Sequence, residues 1–153
     1  MSSFTLGVTK ISTQFALGDE LRKIVEARLT QTLRGIEMTL NQILETGEIT
    51  AKELQENLKS LEESFTFLFQ KWNLEILYTL FLKKHLGFGE LKKILGVNSR
   101  TLSDKLKLLK KHRYVERRVD SGPPLRVKYS LTTKGKNTVL LAMPLLYYSS
   151  AEA

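Results

Sequence analysis

The spacing of hydrophobic residues divides the chain into a first part with long helical periodicity and a second part with shorter elements. Residues 4–11, FTLGVTKI, alternate weakly and predict a short strand or an ordered arm. From Asp19, which can cap a helix, apolar residues recur at steps of three and four as far as Leu44. Gly47 is well placed to end this long amphipathic helix.

A second helix is predicted to start at a capping box, in which the Thr50 hydroxyl and the Glu53 carboxylate satisfy each other's backbone amides. Its apolar face carries Leu54, Leu58, Leu61, Phe65 and Leu68. Two long helices with narrow apolar stripes bury little surface as a lone hairpin. They either pair with the same helices of a second subunit, in the manner of a coiled coil, or pack within the chain.

After residue 70 the spacing of hydrophobic residues predicts shorter elements. The pattern predicts helices at 72–84, 88–95 and 99–112, then strands at 114–119 and 125–131 joined by a tip containing two prolines. Thr132 or Thr133 then caps a last helix, which Pro144 is expected to kink or end. Trp72 lies among apolar residues at helical spacing, which favours a place in the core over a stacking platform.

The predicted order of helix, helix, turn, helix, hairpin and helix is that of a winged helix-turn-helix. The fold class is therefore mainly α with a small β-hairpin (α+β), with a long-helix extension before it. We expect residues 1–70 to form a helical dimerisation or extension region and residues 71–136 the winged domain. Residues 137–153 are expected to form a C-terminal helix used for packing or dimerisation.

The charge distribution assigns different tasks to these regions. The chain carries a net charge of +8, but residues 1–70 carry 7 Lys/Arg and 10 Asp/Glu, whereas residues 71–136 carry 17 Lys/Arg and 5 Asp/Glu. The winged region thus has a net charge of +12, which suits a module that meets a polyanion such as double-stranded DNA.

Other function classes find little support in the sequence. The chain has no cysteine, so disulfides and thiolate metal sites are excluded. Its two histidines, His85 and His112, are not spaced with acids as catalytic or metal sites require, and no phosphate-binding glycine loop is present. We expect no enzyme activity, no metal and no cofactor. The absence of a long apolar run or a signal-like start predicts a cytoplasmic, nucleoid-associated protein without a membrane partner.

Four stretches, KWNLEILYTL, FGELKKILGVNSRTLSDKLKLLKK, YVERR and PLRVKYSLTTKG, occur in this order over about residues 71–136. Together they resemble the HxlR-type winged-helix regulators, which are relatives of the MarR-type transcription factors. The resemblance implies DNA binding and a homodimer. The chain departs from the family in lacking an N-terminal cysteine, in a longer helical preface, and in Arg113, where a glycine is usual.

The helix predicted at 99–112 is the candidate recognition helix. On a helical wheel Leu102, Leu106 and Leu109 share one face, and Arg100, Asp104, Lys107 and Lys111 share the opposite one, flanked by Thr101 and Ser103. In a major groove, Ser99, Arg100, Thr101, Ser103 and Asp104 are expected to reach base edges, and Lys107 and Lys111 to contact phosphates. Asp104 either accepts from a cytosine amino group or orients Arg100 one turn earlier.

The hairpin is the candidate wing. Val127, Tyr129 and Leu131 are predicted to face inward, and Arg126, Lys128 and Ser130 outward, with Arg118 outward on the opposing strand. Such a wing lies along the phosphates or places an arginine in the minor groove.

These features predict a homodimeric, sequence-specific transcriptional regulator. The alternatives are an architectural DNA binder with low specificity and a winged-helix adaptor that binds protein. A small-molecule effector is a further candidate partner. The aromatic residues Phe65, Phe67, Phe69, Tyr78, Phe81, Tyr147 and Tyr148 either line its pocket or form a plain core.

Overall fold

A computed structural model describes the backbone of residues 19–150, so the strand or arm predicted at residues 4–11 lies outside the described residues. The described helices are α1 (Asp19–Thr46), α2 (Ala51–Ser60), α3 (Glu62–Phe69), α4 (Asn73–Lys83), α5 (Phe88–Leu95), α6 (Ser99–Lys111) and α7 (Thr133–Ser150), and the strands are β1 (Val115–Asp120) and β2 (Arg126–Leu131). The mainly helical class with one β-hairpin is confirmed. Two compact units are distinguished: residues 61–147, and residues 19–60 together with 148–150.

The end signal of α1 and the start signal of α2 are confirmed. Gly47 follows α1 in the left-handed conformation (φ 71°), which a glycine adopts without steric cost. Before α2, the Thr50 amide donates to the Glu53 carboxylate at 2.8 Å, and the Glu53 amide donates to the Thr50 hydroxyl at 3.2 Å. The hydrogen bond from the Thr50 backbone, and then that from its hydroxyl, lower the pKa of Glu53.

The prediction of a single helix after Thr50 is wrong. The structure has two helices, α2 and α3, interrupted at Leu61. Just before the break, the Ser60 hydroxyl donates to the carbonyl of Asn57 at 2.6 Å, a local bond that competes with helix continuation. The apolar face of this region is therefore divided between two helices.

The core of the 61–147 unit is built from the apolar faces of α4, α5 and α6, the base of the hairpin and α7. Its most deeply buried side chains include Ile76, Leu77, Leu80, Leu91, Leu102, Leu109, Val115 and Val139. Trp72 packs against this core and is half-buried, as predicted.

The two strands pair in antiparallel register from Val115 with Leu131 to Asp120 with Arg126. Leu86, in the break between α4 and α5, adds a single bridge to Tyr129, whose amide donates to the Leu86 carbonyl at 2.7 Å. This bridge fastens β2 to the helical core, so the base of the wing is held on both sides. At the tip the Pro123–Pro124 peptide bond is cis.

One further prediction fails, and one of the two outcomes expected at Pro144 is ruled out. Ser130 does not face solvent: it is 6% exposed, and its buried hydroxyl is satisfied by donating to the carboxylate of Glu116 on the neighbouring strand at 3.1 Å. Pro144 does not end α7, which continues to Ser150. A proline leaves the carbonyl four residues earlier without a helical donor. That residue is Leu140, which is 44% exposed.

Candidate nucleic-acid interface

Helix α6 begins at a side-chain cap that the sequence analysis did not single out. The carboxamide oxygen of Asn98 accepts a hydrogen bond from the Thr101 amide at 2.8 Å. The signal was present in the sequence, since asparagine directly before a helical pattern is a preferred N-cap. This cap fixes the first turn of α6, where Ser99 and Arg100 lie.

The two faces of α6 are disposed as predicted. Leu102, Leu106 and Leu109 are buried in the core. Their packing fixes which face of the helix points inward. Arg100, Asp104, Lys107 and Lys111 are exposed on the opposite face, as is Ser99, while Thr101 and Ser103 are half-buried on its flanks. The helix therefore presents a polar face whose orientation is set by apolar packing.

Arg100 and Asp104 stand one turn apart on this face, a spacing that permits an ion pair. Across the described residues, no hydrogen bond or ion pair joins the two side chains; the salt bridge found near this region is between Arg118 and Glu116 at 3.5 Å. Both side chains of the α6 pair are exposed to solvent. Each is thus free to meet a separate partner.

The outward face of the wing brings two cations together. Arg118 on β1 lies directly opposite Lys128 on β2 in the strand register, and Asp120 lies opposite Arg126 nearer the tip. Like charges directly opposite each other in a ladder are destabilising, so the Arg118 and Lys128 pair favours an anion placed between them. The ion pair of Arg118 with Glu116 is exposed and contributes little.

The end of α6 is joined to the wing by a Schellman motif. The Tyr114 amide donates to the Leu109 carbonyl at 2.9 Å and the Arg113 amide donates to the Lys110 carbonyl at 3.0 Å. The motif requires a left-handed residue, and Arg113 occupies that position with φ 63°. This requirement explains why glycine is the usual residue here in the family that the sequence resembles, and why Arg113 is strained.

Tyr114 also anchors the start of α7. Its carbonyl accepts from the Thr132 amide at 3.1 Å, and the Thr132 hydroxyl in turn accepts from the Gly135 amide at 3.0 Å. Thr132 is therefore the helix cap that the sequence left open between two threonines. The Lys134 ammonium lies 4.3 Å from the centre of the Tyr114 ring, and burial raises the pKa of the Tyr114 hydroxyl. Recognition helix, wing and α7 thus meet at one residue.

His112 contributes to the same junction. Its ring lies 4.4 Å from the ring of Phe67 on α3, and its carbonyl accepts from the Lys134 ammonium at 3.0 Å. The prediction of a plain surface histidine therefore missed a packing contact. The contact ties α3 to the end of the recognition helix.

The aromatic residues considered for an effector pocket differ in their burial where the structure describes them. Phe67, Tyr78 and Phe81 pack against the core. Phe65 and Phe69 are exposed and stack on each other with ring centres 6.2 Å apart, and Tyr148 is also exposed. The side chain of Tyr147 lies outside the described part. For the three core residues the structure agrees with the plain packing role.

Among the residues described by the structure, no group of three or more His, Asp or Glu side chains is placed to hold a metal ion. Within residues 19–150, no helix is long and apolar enough to cross a membrane.

Comparison with known proteins supports the winged helix-turn-helix fold. The model of the HxlR-like helix-turn-helix family matches residues 67–148. The HTH-type transcriptional regulator YdzF of Bacillus subtilis (strain 168) is 34% identical over 77 residues, covering 50% of this chain and 71% of YdzF.

Solved structures show the same architecture. A transcriptional regulator of the MarR family from Enterococcus faecalis V583 is similar with a TM-score of 0.56 and 28% identity, over 60% of this chain and 84% of that chain. The reduced form of the transcriptional regulator YodB from B. subtilis has a TM-score of 0.54 at 24% identity, over 66% of this chain and 91% of that chain, a likeness of fold. With its helix-turn-helix, its β-hairpin and the match across residues 67–148, this chain belongs to the HxlR-like helix-turn-helix family of DNA-binding transcriptional regulators.

Proposed function

We propose that this protein is a sequence-specific regulator that binds DNA as a homodimer, with α6 in the major groove and the hairpin on the backbone and minor groove. The observation that carries the proposal is the orientation of α6. Three buried leucines fix the helix, so that the face bearing Arg100 and Asp104 points away from the core. A major groove accommodates one such helix, with the N-terminal half of the helix deepest in the groove.

The polar side chains divide into base-reading and phosphate-binding groups in this arrangement. Arg100 donates two hydrogen bonds to a guanine, and Asp104 accepts from a cytosine amino group. Separate roles for Arg100 and Asp104 are supported by the lack of a hydrogen bond or ion pair between these two side chains in the described structure. Ser99, Thr101 and Ser103 border the same groove edge. Contacts to phosphates come from Lys107 and Lys111 on the helix and from Arg118, Arg126 and Lys128 on the wing.

The dimer is supported by apolar surface that one chain leaves uncovered. Val25, Leu33, Ile36, Leu40 and Leu44 form one stripe along α1, and each remains at least 39% exposed. At 28 residues, α1 is about 42 Å long, enough for several turns of helix pairing. Leu140, Leu141 and Leu145 on α7 are also exposed. We assign α1 and α7 to the dimer, with two recognition helices about 34 Å apart on a pseudo-palindromic site.

Selection of bound sequences from a random duplex pool tests the proposal directly. We expect enrichment of a two-fold symmetric site, with half-sites about one DNA turn apart. Arg100→Ala should broaden the selected sequence at one base pair per half-site, with a loss of about 1–3 kcal/mol of discrimination there. The matched control is Arg34→Ala, which removes an exposed arginine from α1.

A flat selection profile would instead favour an architectural binder. If no duplex bound even at low salt, the winged domain would have to serve protein contacts.

A further inference from the structure

The tip of the wing is apolar, although the ribbon that carries it is cationic. Pro123, Pro124 and Leu125 are consecutive and exposed, and Leu125 is 74% exposed. Single exposed apolar residues are common on protein surfaces, but three in a row at the end of a β-ribbon form a small apolar projection. Packing within the described chain does not account for it, because the hairpin core contacts stop at the base of the wing.

The position of the tip along the ribbon lets it reach beyond the phosphates. The ladder runs for six residue pairs from Val115 and Leu131 to Asp120 and Arg126, about 20 Å. The prolines have no amide hydrogen, so this part of the tip offers little to hydrogen-bond with bases or phosphates. What it offers is a compact apolar shape.

The charges next to the tip select its partner. Arg126 follows Leu125 directly, and Arg118 and Lys128 lie opposite each other farther down the same face. Asp120 would be repelled by phosphates, but it lies opposite Arg126 in the register, which offsets its charge. An apolar end on a cationic ribbon fits a minor groove, where apolar side chains wedge between base pairs while cations hold the flanking phosphates.

We propose that Leu125, flanked by Pro123 and Pro124, inserts from the minor groove between two base pairs and kinks the bound DNA. The inference rests on the DNA binding proposed above and adds a specific contact at a distance from the recognition helix. Insertion unstacks one base step, and pyrimidine–purine steps open most readily. The protein therefore gains preference for such a step at the wing position without hydrogen bonds to its bases.

The experiment uses the full chain and a duplex of about 30 base pairs recovered by selection, with donor and acceptor dyes at its two ends. A second set of duplexes carries 2-aminopurine at successive positions, since its fluorescence rises on unstacking. The wild type should bring the ends closer, consistent with a kink of about 20–90°, and brighten 2-aminopurine at one step per half-site.

Three variants give the comparison. Leu125→Ser should abolish both signals, whereas Leu125→Met should keep them, because methionine also serves as a wedge. Leu82→Ser is the matched control: Leu82 lies on α4 and is 73% exposed, almost the same as Leu125. It should bend DNA as the wild type does. All variants should have the melting temperature of the wild type, since the altered side chains are exposed.

Straight DNA in the wild-type complex would overturn the wedge while leaving DNA binding intact. Equal bending by Leu125→Ser and the wild type, or equal loss in Leu125→Ser and Leu82→Ser, would also overturn it. Failure of the wild type to bind any duplex is a separate result that would defeat the proposed function itself.

Discussion

Gly135 on α7 lies so close to the carbonyl oxygen of Tyr114 that no side chain fits between them. A Cβ placed at Gly135 would overlap this backbone oxygen and come within 3.2 Å of the Leu131 side chain. The same carbonyl accepts hydrogen bonds from Thr132, so it is not free to move away. The close approach allows α7 to pack on the junction of recognition helix and wing.

We therefore expect Gly135→Ala to lower the free energy of unfolding by about 1–3 kcal/mol, the usual cost of overpacking. Thermal and urea unfolding measure this change. Gly89→Ala is the control, because nothing lies within 4 Å of a Cβ at that position in α5. It should be neutral or stabilising, since alanine favours a helix by up to about 1 kcal/mol over glycine. Equal stability of the two variants would contradict the close packing.

Arg113→Gly should stabilise the protein. Arg113 is held at φ 63° by the Schellman motif, and a left-handed residue with a Cβ costs roughly 1 kcal/mol that glycine avoids. The Thr132 hydroxyl donates to the backbone carbonyl of residue 113 at 2.6 Å. This hydrogen bond does not depend on the side chain at position 113 and is kept in the variant. Urea unfolding should show a gain of about 1 kcal/mol.

The control for this change is Lys110→Gly, near the end of the right-handed helix α6, which should lose about 1 kcal/mol because glycine is a poor helix former. A loss of stability in both variants would mean that Arg113 is not strained.

Lys128→Gln should weaken binding to target and random duplexes by a similar factor. Because a phosphate contact releases counterions, its removal should reduce the slope of log K against log salt by about 1. Titrations of labelled duplex at several salt concentrations measure the slope. Arg117→Gln removes the same charge from the opposite face of the wing, where Arg117 is paired with Tyr129. An identical slope change in both variants would show that net charge, and not the Arg118–Lys128 face, sets the affinity.

Ile36→Glu should dissociate the proposed homodimer. Ile36 lies in the apolar stripe of α1 and is 53% exposed in one chain, so pairing would bury an unpartnered charge in each subunit. A penalty of about 3 kcal/mol raises the dimer Kd by more than 100-fold. Sedimentation equilibrium measures the constant. Met38→Glu, at a 65% exposed position on the opposite side of α1, should leave it unchanged. A dimer that withstands Ile36→Glu would place the interface elsewhere.

The features that the sequence alone determined are those encoded within a few residues. The leucines of α6 recur at helical spacing, so their common face and the opposite polar face follow from the geometry of the helix. The pairing of Thr50 with Glu53 spans three residues and was predicted for the same reason. The charge of the winged region and the order of its elements are also properties of the linear chain, and they were sufficient to identify the class of fold.

The features that only the tertiary structure decided depend on partners distant in sequence. Ser130 is buried and its hydroxyl donates to Glu116 across the hairpin, whereas strand alternation alone placed it in solvent. His112 packs on Phe67, a residue 45 positions earlier, which no local pattern indicates. Arg113 reveals its strain only once α6, β1 and Thr132 fix its backbone. Local spacing sets which way a helix or strand faces, but the three-dimensional packing decides what each face meets.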